Sequence, residues 1–182
     1  MIPSDHFVRF YNEVFKFLDE QNELQAYYEE ISRHQELHCL RCFMEKGLEG
    51  MEEYWGHIWV EENCVSTSWI KDDVRYSHMK KCPSLTKVLD NDAAPCKKYC
   101  LHCIGWMAPL MTQCGFYCLK YQQALDRPEC YSAISEHRDK IEAVRQDAIR
   151  QGFKYIFSNL DDAVHVETNR EKRIQLHAKD RK

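Results

Sequence analysis

Ten cysteines in 182 residues constrain this chain more than any other feature, because they admit few kinds of fold. They are Cys39, Cys42, Cys64, Cys82, Cys96, Cys100, Cys103, Cys114, Cys118 and Cys130. In a short exported chain an even count reads as a disulfide framework. The first residues, Met1-Ile2-Pro3-Ser4-Asp5-His6, carry neither the positive start nor the apolar run of an export signal. A chain of this length, 44% apolar and 12% aromatic, can build a core without staples. Reduced thiols in a cytoplasmic protein are therefore the expectation. Cys64, Cys114, Cys118 and Cys130 are read as small buried hydrophobes, a common role for free cysteine.

A net charge of −4 gives no basic footprint for nucleic acid or an anionic membrane surface. No stretch approaches the roughly 20 apolar residues of a spanning helix. The partner expected is a small-molecule substrate, with neither nucleic acid nor membrane. The oligomeric state is not specified.

Apolar periodicity divides the chain into a helical first third and a mixed remainder. Ser4 can cap a helix with the stripe Phe7, Phe10, Tyr11, Val14, Phe17 and Leu18. Asn22 can cap a second helix, led by Leu24, Tyr27, Tyr28 and Ile31 and ended by Gly47. A third carries Leu48, Met51, Trp55, Ile58 and Trp59. From Cys64 the period changes, and two runs joined by Lys71-Asp72-Asp73 predict a β-hairpin. Pro83 opens a short helix. A longer one begins near Lys97, kinks at Pro109 and stops at Gly115. A second strand pair lies around Asp126-Arg127-Pro128. A helix through Ile141, Val144 and Ala148 follows, and then a strand near Phe153–Phe157. The expectation is an α+β fold, with N-terminal helices packed on an antiparallel sheet made of two strand pairs with intervening helices. Residues 1–160 form one domain (helical over 1–62, mixed over 63–160), and 161–182 form a polar tail.

Three constellations can carry chemistry. In Lys80-Lys81-Cys82-Pro83, proline at the first helical position places Cys82 at the N-cap, where free N–H groups and the helix dipole favour a thiolate. The competing reading is an indifferent cap. In Cys100-Leu101-His102-Cys103, two thiols three apart lie on one face at a helix start, a common way to build a low-pKa dithiol. His102 would point about 100° away from Cys103 and serve a substrate or another thiol. The bland alternative is that both thiols continue the Met107, Leu110, Met111 and Cys114 core stripe. On the second helix, His34, His38 and Cys42 share a stripe with Tyr27 and Ile31, so the histidines would line a pocket or hold a metal. Cys39/Cys42 and Cys100/Cys103 also read as two Cys-x-x-Cys pairs, which raises zinc as a second-choice cofactor; no other cofactor is specified. Nucleotide-loop and serine-esterase signatures are absent.

The segments Lys81-Cys82-Pro83-Ser84-Leu85, Tyr99-Cys100-Leu101-His102-Cys103 and Gly115-Phe116, with the strand around Cys130, resemble the bacterial L-2-amino-thiazoline-4-carboxylic acid hydrolase-like family. The resemblance spans roughly residues 74–134, and Gly47–Trp55 extends it upstream. It implies hydrolytic opening of a thiazoline ring. One departure is that relatives commonly carry an Asp soon after the helix-start cysteine, where this chain has Cys103 or Ile104. The resulting expectation is a thiol hydrolase acting on a C–N or C–S bond of a small polar heterocycle. Cys82 or Cys100 is the nucleophile, His102 or His38 the base, and Cys103 an orienting or resolving group, with His34, His38 and Tyr99 contacting substrate. The alternative is a metal- or redox-binding Cys/His module, sensor or carrier, using Cys100 and Cys103 with His34, His38 and Cys42. A third reading is an interaction protein with inert thiols.

Overall fold

Alternation in the middle of the chain produces a sheet, and the helices around it are placed by what each sheet face offers. The computed structural model describes residues 3–34, 36–90 and 94–179. Strands β1 (Val65–Lys71) and β2 (Val74–Lys81) form the predicted hairpin, turned by Asp72 and Asp73 at positive φ. With β3 (Tyr117–Gln122), β4 (Cys130–Ser135) and β5 (Tyr155–Ser158) they make one five-stranded sheet in the order β1-β2-β4-β3-β5, every pair antiparallel. The α+β class is as expected. The two strand pairs join through β2 and β4, and β5 adds an edge beside β3.

Successive side chains leave a strand on opposite faces. Val74, Tyr117, Leu119 and Ala133 point to one face and cluster with Ile141 of α6 (Arg138–Arg150). Cys118 and Ile134 point to the other, where Phe43 and Met51 of α3 (Arg41–Glu61) and Leu110 and Met111 of α5 (His102–Cys114) cover them. On this second face the buried Arg75 lies between the rings of Trp55 and Trp59, 4.8 and 5.3 Å from their centroids. Its Nε is 2.8 Å from Glu52 of α3, which ties that helix to β2.

The N-terminal helices form a third layer beside the start of α5. Helix α1 (Pro3–Glu20) buries Val8, Asn12 and Phe15, a stripe one position round from the predicted one. Phe7, Phe10 and Phe17 are exposed. The buried amide of Asn12 decides the rotation: its oxygen accepts from the Cys96 N–H at 2.8 Å, and its nitrogen donates to the Ala94 carbonyl. Helix α2 (Leu24–Arg33) ends at His34 and does not run on to Gly47 as expected. A short π-helical turn over Glu36–Leu40 separates it from α3. Gly47, at φ 59°, lies inside α3 as a break between two helical stretches.

Helix α4 (Pro83–Leu89) starts where Pro83 predicts. Helix α5 begins five residues later than expected, after a 3-10 turn over Tyr99–Leu101, and runs through Pro109 to Gly115. At its end Phe116 N–H bonds the Met111 carbonyl and Gly115 N–H the Thr112 carbonyl, the double closure that a left-handed glycine permits. Most of the described residues past Leu160 form a further helix. Helix α7 (Ala163–Lys179) packs along α5, burying Val166 and placing Arg173 over the Phe116 ring at 4.1 Å.

Candidate active site around Cys103

The 3-10 turn before α5 brings Cys100 and Cys103 to the end of the sheet where β3 carries Lys120 and Gln122. Both lie on the face that α5 covers. The buried Lys120 ammonium donates to the Cys100 carbonyl at 2.9 Å and lies 3.7 Å from Cys100 Sγ. The buried Gln122 amide contacts the same sulfur through its nitrogen at 3.4 Å and its oxygen at 3.5 Å.

His102 is the first residue of α5, and its ring is buried against Phe15, Tyr99 and Trp106 at centroid distances of 5.7, 5.0 and 4.9 Å. Nδ1 lies 2.5 Å from the Tyr99 carbonyl oxygen. A carbonyl only accepts, so Nδ1 carries a proton, and Nε2 is left to exchange one with the group it faces. That nitrogen is 3.2 Å from Cys103 Sγ. The ring does not turn away from its neighbour as helix spacing suggests. The bond back to Tyr99 and the aromatic cage fix it against Cys103.

The consequence is an acidic thiol. Burial opposes ionisation of Cys103, but the charges of His102 and Lys120, the His102 hydrogen bond and the residue's own amide outweigh it. They lower its pKa from 9.0 to about 6. Burial lowers the Lys120 pKa, but the Cys103 thiolate outweighs it and raises the value, so Lys120 remains an ammonium. Cys103 itself is only half-buried.

The other predicted residues fall differently. Cys82 is the N-cap of α4, its Sγ accepting from the Leu85 N–H at 3.5 Å. Burial nonetheless pushes its thiol up to about 12, with the Cys103 charge adding to the effect, so one helix-start hydrogen bond loses to desolvation. Cys100 is buried in the turn, and does not share an α-helical face with Cys103. Tyr99 is buried too, its hydroxyl 2.7 Å from Ser84 Oγ and its carbonyl orienting His102.

His34 and His38 are exposed and line no interior site. His34 pairs with Glu30 at 3.1 Å, and His38 lies in the π turn after the helix that was expected to carry both. Cys42 donates weakly to the Gly50 carbonyl at 3.7 Å. Cys39 and Cys42 belong to the core around Phe43, while Cys100 belongs to the one around Phe15, so the two Cys-x-x-Cys pairs do not converge. Among the described residues no group of three or more His, Cys, Asp or Glu side chains is placed to hold a metal.

Lys120 and Gln122 escaped the sequence reading. Their signal was a lysine at an inward position of the apolar run Tyr117-Cys118-Leu119-Lys120-Tyr121. A surface cleft of about 650 Å³ lies along Ile104, Gly105, Ala108 and Pro109 of α5, and Cys103 does not line it. Comparison with protein-family models, curated proteins and solved structures finds no match to this chain.

Proposed function

We propose that this chain is a cysteine-dependent hydrolase that cleaves a C–N or C–S bond of a small polar heterocycle, with Cys103 as nucleophile. The observation that carries the reading is the 3.2 Å contact from Cys103 Sγ to His102 Nε2, with Nδ1 committed to a carbonyl. It is the arrangement of a nucleophile, a base and an orienting group. The resemblance over roughly residues 74–134 supports a thiazoline-carboxylate type of substrate.

In this mechanism the Cys103 thiolate attacks the amidine-like ring carbon. His102, now protonated at Nε2, gives its proton to the departing nitrogen or sulfur. Neutral His102 then takes a proton from water, whose oxygen attacks the thiol-bound carbon and releases Cys103 as thiolate. Lys120 and the backbone N–H of Cys103 favour negative charge in both steps.

Ten free thiols accord with a reducing compartment, and a cytoplasmic setting is part of the proposal. No helix among the described residues is long and apolar enough to cross a membrane. A second reading, a redox dithiol, draws on Cys100, whose sulfur lies 3.7 Å from Lys120 and three residues before Cys103.

The test is the pH dependence of alkylation, with the labelled residue mapped by mass spectrometry. One fast thiol is expected, at Cys103, with a midpoint near 6. Cys103→Ser should remove both that label and hydrolysis of 2-amino-thiazoline-4-carboxylate. A midpoint at the ordinary thiol value, about 8.5, removes Cys103 from the mechanism. Hydrolysis that ceases while a Cys100–Cys103 disulfide cycles would favour the redox reading.

A further inference from the structure

Periodicity picks out one stripe on α1, and the fold buries another. The core takes Val8, Asn12 and Phe15, while Phe7, Phe10 and Phe17 are 61, 63 and 61% exposed, with half-buried Val14 between them. Phe7, Phe10, Val14 and Phe17 follow one another at steps of three, four and three, the a and d spacing of two heptads. A stripe this narrow suits the seam of a helix pair better than the face of a globular core. Tyr11 and Leu18, one position past Phe10 and Phe17, hold the helix down. Tyr11 stacks on Phe15 at 5.9 Å, and Leu18 packs into the cluster around that ring. The seam is therefore fixed facing outward.

Charge along the free edge of this seam runs from basic to acidic. His6, Glu13 and Glu20 line that edge at steps of seven, with Arg9 beside them. Glu13 pairs with Lys16 at 2.9 Å, but the side chains of His6, Arg9 and Glu20 have no ion pair among the described residues. An identical helix laid antiparallel sets Phe7 against Phe17 of the second copy, and Phe10 against its Val14. The same register brings His6 beside Glu20 of the second copy and Arg9 beside its Glu13. Parallel pairing would lay the charged edge against Tyr11 and Leu18 instead. Opposed helix dipoles favour the antiparallel arrangement as well.

The exposed area fits a reversible contact. At these exposures the three phenylalanines offer roughly 360 Å² on each copy, and the stems of the charged edge add to it. A standard interface takes about 800 Å² from each partner, so the pair belongs among the weak ones. Its helix is already held by the core, so pairing carries no cost of helix nucleation. A net charge of −4 makes an anionic lipid surface a poor alternative occupant.

We infer that α1 is the contact of a two-fold homodimer, in which Phe7, Phe10, Val14 and Phe17 pack antiparallel on the same seam of a second copy. The two helices overlap over residues 7–17, about 16 Å of helix. The inference is independent of the chemistry at Cys103.

Sedimentation velocity of the full chain under reducing conditions, from about 1 µM to about 1 mM, tests it. The parent should pass reversibly from monomer to dimer within that range. Phe10→Ser/Phe17→Ser should stay monomeric throughout, with its circular dichroism and Tm unchanged, because both rings already stand in water. Glu20→Lys should weaken the dimer about threefold by opposing His6 of the second copy, and adding His6→Glu should restore it. This charge pair remains decisive if the phenylalanine variant folds poorly. A parent that stays monomeric at about 1 mM, or that associates only with added lipid vesicles or another protein, overturns the proposal. So does a dimer that survives loss of both phenylalanines. A dimer that ignores both charge changes overturns the antiparallel pairing.

Discussion

At the scale of single residues, a shared hydrogen bond decides which of ten thiols is reactive. Cys82 has the helix start that favours a thiolate, and Cys103 has a helix start, an imidazole and an ammonium. Desolvation is the largest influence on both, so the partners determine the direction. It follows that His102→Gln should raise the Cys103 midpoint and slow its alkylation at pH 7 about tenfold or more. Reagent access would change little, because rates well above the midpoint should match the parent. Lys120→Met should raise the midpoint too, and should also lower stability, because the Cys100 carbonyl loses its buried donor. Comparing the fully ionised rates of the two variants with their midpoints separates electrostatics from damage. A His102→Gln protein with an unmoved midpoint would show that Lys120 alone makes the thiol acidic.

At the scale of elements, what was legible in the sequence was whatever depends on local periodicity and caps. The β1–β2 hairpin was readable because alternation and a polar turn coincide at Lys71-Asp72-Asp73. Pro83 and Gly115 marked a helix start and a helix stop for steric reasons that need no tertiary contact. The rotation of α1 was not readable, since aromatic residues occupy more than one side and a buried Asn12 settles the matter through residues some eighty positions away. The π turn after α2 likewise removed His34 and His38 from the face that unbroken helical spacing assigns them.

Glycines allow the element-level account to be tested. A Cβ on Gly115, at φ 73°, would meet the Arg170 backbone of α7 at 2.4 Å. Gly115→Ala should therefore destabilise by at least 1–3 kcal/mol, roughly the cost of a strained backbone alone. Gly56 sits in the helical part of α3 with open space around it, so Gly56→Ala should stabilise by about 0.5–1 kcal/mol. Urea denaturation of both variants checks the pair. Equal small effects would mean that α7 does not press on the end of α5.

At the scale of the whole molecule, the inert thiols have a collective consequence. Burial raises Cys39, Cys64 and Cys130 to about 11 and Cys82 and Cys118 to about 12, from 9.0. Above pH 9 the unfolded chain releases these protons while the folded chain keeps them. The unfolded state then binds fewer protons, so stability is full below pH 9 and falls as pH rises toward 11–12. Each such thiol steepens the decline by about 1.4 kcal/mol per pH unit within its window. Cys103 has the opposite sign: its depressed value favours the folded state above the ordinary thiol pKa, and that advantage is lost as pH falls through about 6. Buried tyrosines such as Tyr99 also favour the protonated folded state, so the slope must be assigned by comparison. Cys118→Ala removes a wholly buried thiol far from the reactive pair, lowering stability at every pH by the lost packing. Measured by urea unfolding between pH 9 and 11, its stability should decline more gently than the parent's by about 1.4 kcal/mol per pH unit. Parallel curves would mean that Cys118 ionises in the fold as readily as in the unfolded chain, against its burial between α5 and the sheet.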